Sequence, residues 1–104
     1  MNAEIKKKWV AALRSGKYRQ GWRFLHFRDA FCCLGVLCDL AAKEGVCEVN
    51  NPNGITSYDG VCVILPDSVC GWAELPHTNP FGLAEMNDKG KSFSEIADYI
   101  EERV

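Results

Sequence analysis

Between Glu4 and Ser15, the residues Ile5, Trp9, Ala12 and Leu13 recur at helical spacing while Lys6, Lys7 and Lys8 fall on other faces. This predicts an amphipathic helix stopped by Gly16. The pattern then changes. From Lys17 to Arg28 aromatic and basic residues alternate over short range, as in a strand or a small hairpin turning near Gly21. Asp29 is a suitable N-cap for an apolar helix from Ala30 to Lys43, ended by Gly45. Asp39 is its only acidic residue before Glu44, so the helix is apolar on nearly every side and should be the central one.

The second half of the chain alternates turns and short elements. Asn50-Asn51-Pro52-Asn53-Gly54 is dense in turn residues, and Gly60 to Leu65 reads as a strand paired with Val46 to Val49. Pro66 opens a short helix that carries Trp72 and Leu75 inward, and a second short helix runs from Phe81 to about Asp88, closed by Gly90. Ser92-Phe93-Ser94-Glu95 is a capping box, after which Phe93, Ile96, Ala97 and Ile100 form a buried stripe. No repeat or linker divides the sequence. The expected fold is a single α+β domain over residues 1–104, mainly helical, with four to five helices and a small β-hairpin or sheet.

Composition narrows the function classes. With 47% hydrophobic and 25% charged residues the 104-residue chain fits an ordinary globular domain that folds without staples. The longest apolar run, Ala30 to Cys38, is about half of what a bilayer-spanning helix needs, so no membrane partner is expected. Met1 to Lys8 is charged and is not followed by an apolar core, unlike a signal peptide, which implies a cytoplasmic protein. The net charge of −2 conceals an asymmetry. Residues 1–28 carry eight Lys and Arg against Glu4 alone, whereas residues 29–104 carry four against thirteen acids.

Six cysteines in a reducing compartment imply free thiols or metal binding rather than disulfides. Cys33 and Cys38 are five apart, Cys32 and Cys33 point about 100° apart on a helix, and no Cys-x-x-Cys pair occurs, so the spacing does not favour a metal. A thiolate nucleophile is the sharper alternative. Cys32 or Cys33 near a helix N-terminus, with His26 or His77 as base, would make a thiol-dependent hydrolase or transferase. Against it, Phe31, Leu34, Val36 and Leu37 surround these thiols with apolar bulk, which raises a thiol pKa. Cys32, Cys33 and Cys38 are therefore read as buried packing residues, and no cofactor is implied.

Leu83 to Ala97 has the outline of a helix-turn-helix, but Ala84 and Gly90 are too far apart for its turn. The would-be recognition helix also carries Glu95, Asp98, Glu101 and Glu102, which repel phosphates and exclude duplex DNA as a partner. The basic quarter is a better candidate. There Lys17, Arg19, Arg23 and Arg28 interleave with Tyr18, Trp22, Phe24 and Phe27, combining cations for an anion with faces for stacking. Tyr18, Arg19, Trp22, Arg23 and Arg28 are the candidate ligand-binding residues. The competing reading is a strand with its aromatics in the core and its charges in water.

Lys8-Trp9, Ala12 to Gly16, Tyr18 with Gln20-Gly21, and Phe31-Cys32-Cys33-Leu34-Gly35-Val36-Leu37-Cys38-Asp39-Leu40 resemble a family of small uncharacterised proteins of tailed phages and prophages. The resemblance continues through Leu65-Pro66, Trp72-Ala73, Asn79-Pro80, Leu83-Ala84, Asn87-Asp88 and Ser92 to Glu101, nearly the whole chain. It implies an origin and not a reaction. Small phage accessory proteins often occupy a host protein or sequester a signalling molecule of host defence. The expectation is thus non-catalytic binding of a host protein or a small anionic, nucleotide-like ligand in the host cytoplasm. Self-association is compatible with the same reading. Residues 22–28 are more aromatic than is usual for that family, and Asn50 to Asp59 also departs from its pattern.

Overall fold

The computed structural model describes all 104 residues. Helix α1 (Ala3–Arg14) opens with the Asn2 side chain accepting from the Ile5 N–H. It buries Ile5, Trp9, Val10 and Leu13, the stripe that the spacing predicts with Val10 added and Ala12 only half-buried. The last helix, α5 (Phe93–Arg103), has both halves of the Ser92/Glu95 capping box and buries Phe93, Ile96, Ala97 and Ile100. The two helices pack together, and Arg14 clamps the rim by donating to Asp98 (2.6 Å) and Glu101 (3.2 Å).

Helix α2 (Cys33–Lys43) is the centre of the molecule, with Cys33 through Cys38 and Ala41 all buried. It starts three residues later than expected. Ala30 and Phe31 form a strand instead, and Asp29 sits in a hairpin turn rather than capping the helix. The N-terminal amide of Cys33 is capped from elsewhere, by the Asn87 side chain at 3.1 Å. Helix α2 can lie close to the chain at Leu25 only because residue 35 is glycine. A Cβ there would fall 1.6 Å from the Leu25 carbonyl oxygen.

Five short strands form one sheet beside α2, in the order β1-β3-β2-β5-β4. They are β1 (Arg19–Gln20), β2 (His26–Phe27), β3 (Ala30–Phe31), β4 (Val49–Asn50) and β5 (Ile55–Tyr58). β1 runs parallel to β3 and the other pairs are antiparallel. The expected hairpin near Gly21 is therefore displaced: the chain turns at Arg28-Asp29, between β2 and β3. The expected strand at Gly60 to Leu65 is also displaced, to Ile55–Tyr58 inside the stretch read as a loop. Propensity favoured the Val61-Cys62-Val63-Ile64 run, but alternating burial of Thr56 and Tyr58 fixes the true strand.

Helices α3 (Asp67–Ala73) and α4 (Leu83–Asp88) close the core. The fold is α+β, a five-helix assembly on a small sheet, and 23 residues form one hydrophobic cluster that includes Cys32, Cys33, Cys38 and Cys70. Asn87, fully buried on α4, ties the layers together. Its oxygen accepts from Cys33 N–H and Gln20 Nε2, and its Nδ2 donates to the Gly21 carbonyl at 2.8 Å.

Candidate binding surface

The sheet register sorts the aromatic and basic segment into two faces. Gln20, Phe31, His26 and Thr56 are cross-strand neighbours in one row; Arg19, Ala30, Phe27 and Ile55 form the next row, on the opposite face. The first row turns inward. Gln20 donates to Asn87 and to the Lys91 carbonyl, His26 stacks on Phe31 with ring centroids 3.7 Å apart, and Thr56 is buried. The second row faces out. Arg19 and Phe27 are exposed, and Phe24 and the Arg28 guanidinium lie 5.8 and 5.4 Å from the Phe27 ring.

The predicted site residues divide along the same line. Arg19, Trp22, Arg23 and Arg28 are all exposed, and Trp22, at 58%, is the most exposed large hydrophobic side chain. Arg19 pairs with Asp29 at 3.3 Å, while Arg23 and Arg28 form no ion pair. Tyr18 does not join them. It packs edge-on against Phe31 and donates to Asp39 of α2 at 2.5 Å, with Lys43 also on that carboxylate at 3.1 Å. Burial and the bond to Asp39 push the Tyr18 phenol above its ordinary pKa, so it stays a neutral donor.

Backbone bonds set the exposed loop in place. The Arg23 N–H donates to Asp88 Oδ1 (2.8 Å), Leu25 N–H to the Cys62 carbonyl (2.8 Å), and Arg28 N–H to the Gly54 carbonyl (2.7 Å). The bond to Cys62 brings that residue beside the loop, and the two residues that follow it, Val63 and Ile64, are exposed. Sequence reasoning missed these two, because a run of β-branched residues reads as a buried strand. Phe27 was legible as one of the aromatics interleaved with the basic residues, but the sequence left open whether it faces a ligand or the core. Its place beside Arg28 and one residue from His26 was the available signal, since parity assigns it the face opposite His26.

This surface is not concave. The three cavities of the molecule, about 240, 320 and 330 Å³, lie elsewhere: beside Lys6, Lys7 and Glu101, beside Lys91 and Tyr99, and between α1 and α2 beside Tyr18, Lys17 and Lys43.

The thiols occupy the core. Burial raises Cys32 to about 11 and drives Cys33 and Cys38 well above the usual thiol range. The Cys33 Sγ faces the Leu83 carbonyl at 3.5 Å, and no histidine hydrogen bonds to either thiol: His26 Nδ1 meets the Tyr58 hydroxyl at 3.0 Å, and His77 is exposed. Partial burial lowers the His26 pKa, which keeps the ring neutral against Phe31. Cys47 and Cys62 are half-buried, all six cysteines are free, and no three His, Cys, Asp or Glu side chains are arranged to hold a metal ion.

Five helices, a small sheet and an open basic and aromatic face define a small α+β domain. The chain belongs to a family described as a domain of unknown function (DUF8296), which matches residues 1–104. Neither a curated protein nor a solved structure matches it. No helix is long and apolar enough to cross a membrane.

Proposed function

We propose that the chain is a phage-type accessory protein that works by non-catalytic binding, occupying a host defence or regulatory protein, or holding a small anionic ligand, through Arg19, Trp22, Arg23 and Arg28. One observation carries the reading. Four large side chains on one short segment are exposed, and two of the three arginines form no ion pair within the chain. Such side chains add little to folding and are the types that dominate binding energy at interfaces. Between the two kinds of partner, the absence of a cavity on this face favours a protein, because small ligands are held in concave sites. Tyr18 then acts as a support for the sheet rather than as a contact residue.

Titration of the purified protein with nucleotides, and its use as bait in host lysate, tests this reading. Arg19→Ala combined with Arg23→Ala should abolish the detected interaction. Binding that survives the double substitution removes this site from consideration.

A further inference from the structure

The strongest clue to the kind of partner is where the chain tolerates backbone strain. Six non-glycine residues have positive φ: Arg23, Arg28, Asn53, Asp59, Glu74 and Phe81. Asn53 and Asp59 are residue types that visit the left-handed region readily, and Glu74 is the left-handed C-cap of α3, where it also accepts from Asn2. Phe81 (φ 57°) lies inside the Pro80–Gly82 turn and Arg28 (φ 55°) opens the two-residue turn between β2 and β3, which calls for positive φ, yet neither Arg28 nor Arg23 (φ 71°) is a residue type that favours it. Glycine or asparagine would fill either position at lower cost, and neither guanidinium forms an ion pair in the fold. Strain of this kind is characteristic of functional positions.

The surroundings specify the ligand chemistry. Trp22 and Phe27 supply exposed apolar area, with exposed Val63 and Ile64 following Cys62, which bonds Leu25 of the loop, and Arg23 and Arg28 supply guanidinium groups that are in no ion pair. Nucleic acid fits poorly. Aliphatic side chains do not stack on bases, no groove tracks a backbone, and the acidic chain would not draw in a polyanion at long range. A symmetric dimer through this face would set two cationic rims against each other. An apolar centre flanked by free arginines matches a protein segment of opposite charge.

Resting on the reading proposed above, we infer that the outer sheet face and the 22–25 loop dock an acidic protein segment, whose apolar side chain seats on Trp22 and Phe27 while its carboxylates pair with Arg23 and Arg28. Arg28 is already braced over the Phe27 ring, so its guanidinium is held where an incoming carboxylate needs it.

A random peptide library panned on the full-length protein tests this, with Arg23→Gly/Arg28→Gly protein for counter-selection. Glycine is at home at both φ values, so the variant should melt within a few degrees of the parent, and lost binding then reports the side chains. The expected result is enrichment of peptides with Asp or Glu flanking Phe, Leu or Trp. A synthetic peptide of that kind should shift the backbone resonances of residues 22–28 and 62–64. It should bind the glycine variant at least about tenfold more weakly, and Phe27→Ser protein likewise, while its Lys-substituted counterpart should not bind.

Equal affinity for the glycine variant, or enrichment without acids, overturns the inference. If ATP or oligo-dT shifts residues 22–28 and peptides do not, the acidic protein partner falls while the binding surface stands. If no peptide, ATP or oligo-dT shifts them, both readings fall. A dimer lost in the glycine variant also overturns the inference, in favour of a second copy of the chain.

Discussion

His26 and Phe27 are neighbours in the sequence, yet the sheet gives them opposite work. His26 is stacked on Phe31 and bonded to Tyr58, in a row that continues to Gln20 and, through it, to the buried Asn87. Phe27 is exposed with Phe24 and Arg28 around it, in a row that ends at Arg19. Inside, all but one of the buried side-chain polar atoms are partnered, the exception being Thr56 Oγ1. Outside, two guanidinium groups form no ion pair. The contrast teaches that an aromatic and basic segment need not be wholly core or wholly site: alternation divides it, and the hydrogen-bond inventory tells which half is which.

If the inner face is the structural one, changes there should be the costliest. Gly35→Ala puts a methyl group onto the Leu25 carbonyl where α2 meets the chain entering β2, and should cost at least about 3 kcal/mol in urea unfolding. A cost under about 1 kcal/mol would show that the two segments separate freely. Next, Asn87→Leu leaves the Cys33 N–H and the Gly21 carbonyl without their side-chain partner in the core. It should lower stability by about 2–4 kcal/mol.

The buried thiols give a pH test of the same side. Their pKa values are raised by folding, so the unfolded chain loses these protons first as pH rises. Stability should therefore be intact below the ordinary thiol pKa of about 8.5 and fall progressively as pH rises toward 11, the value near which folded Cys32 titrates. Denaturant midpoints at pH 7, 9 and 10.5 would show it. In parallel, Cys32, Cys33 and Cys38 should resist iodoacetamide in the native protein at neutral pH and react after unfolding. One rapidly alkylated native thiol among them would instead revive a thiol-dependent enzyme.

Smaller effects belong to the ends of helices and to the outer face. Ser92→Ala removes one arm of the capping box on α5 and should cost about 1 kcal/mol, read as a modest fall in melting temperature. Arg23→Gly with Arg28→Gly should change stability by less than about 1 kcal/mol, because relief of left-handed strain offsets the added freedom of the unfolded chain. A large loss from that pair would move the arginines from the binding side of the comparison to the structural one.

Much of the helical framework was legible because it depends on local signals. The stripes of α1 and α5 recur at a 3.6-residue period, while the Ser92 capping box, Pro66 before α3 and the continuous apolar run of α2 are local signals that need no distant partner to be recognised. The sheet was legible only as a class. Its strands are two residues long except β5, too short for a period to show, and Asn50 to Asp59 looked like loop although it holds the longest strand.

The candidate surface was half legible. Arg19, Trp22, Arg23 and Arg28 stand out by type and are exposed together. Tyr18, of the same composition, belongs to the Asp39 and Lys43 cluster instead. Val63 and Ile64 carried no signal, because hydrophobicity alone does not say which side of a chain meets water.

By itself, then, the sequence determined the α+β class, the central helix with its packed cysteines, and the segment in which basic and aromatic residues are concentrated. Each is a property of residue type and short-range spacing. Only the tertiary structure decided which residues of that segment face outward, that Asn87 caps α2 from another helix, and that Arg23 and Arg28 are held at positive φ. These depend on register and on contacts between residues far apart in the chain, where a shift of one position exchanges the two faces of a strand.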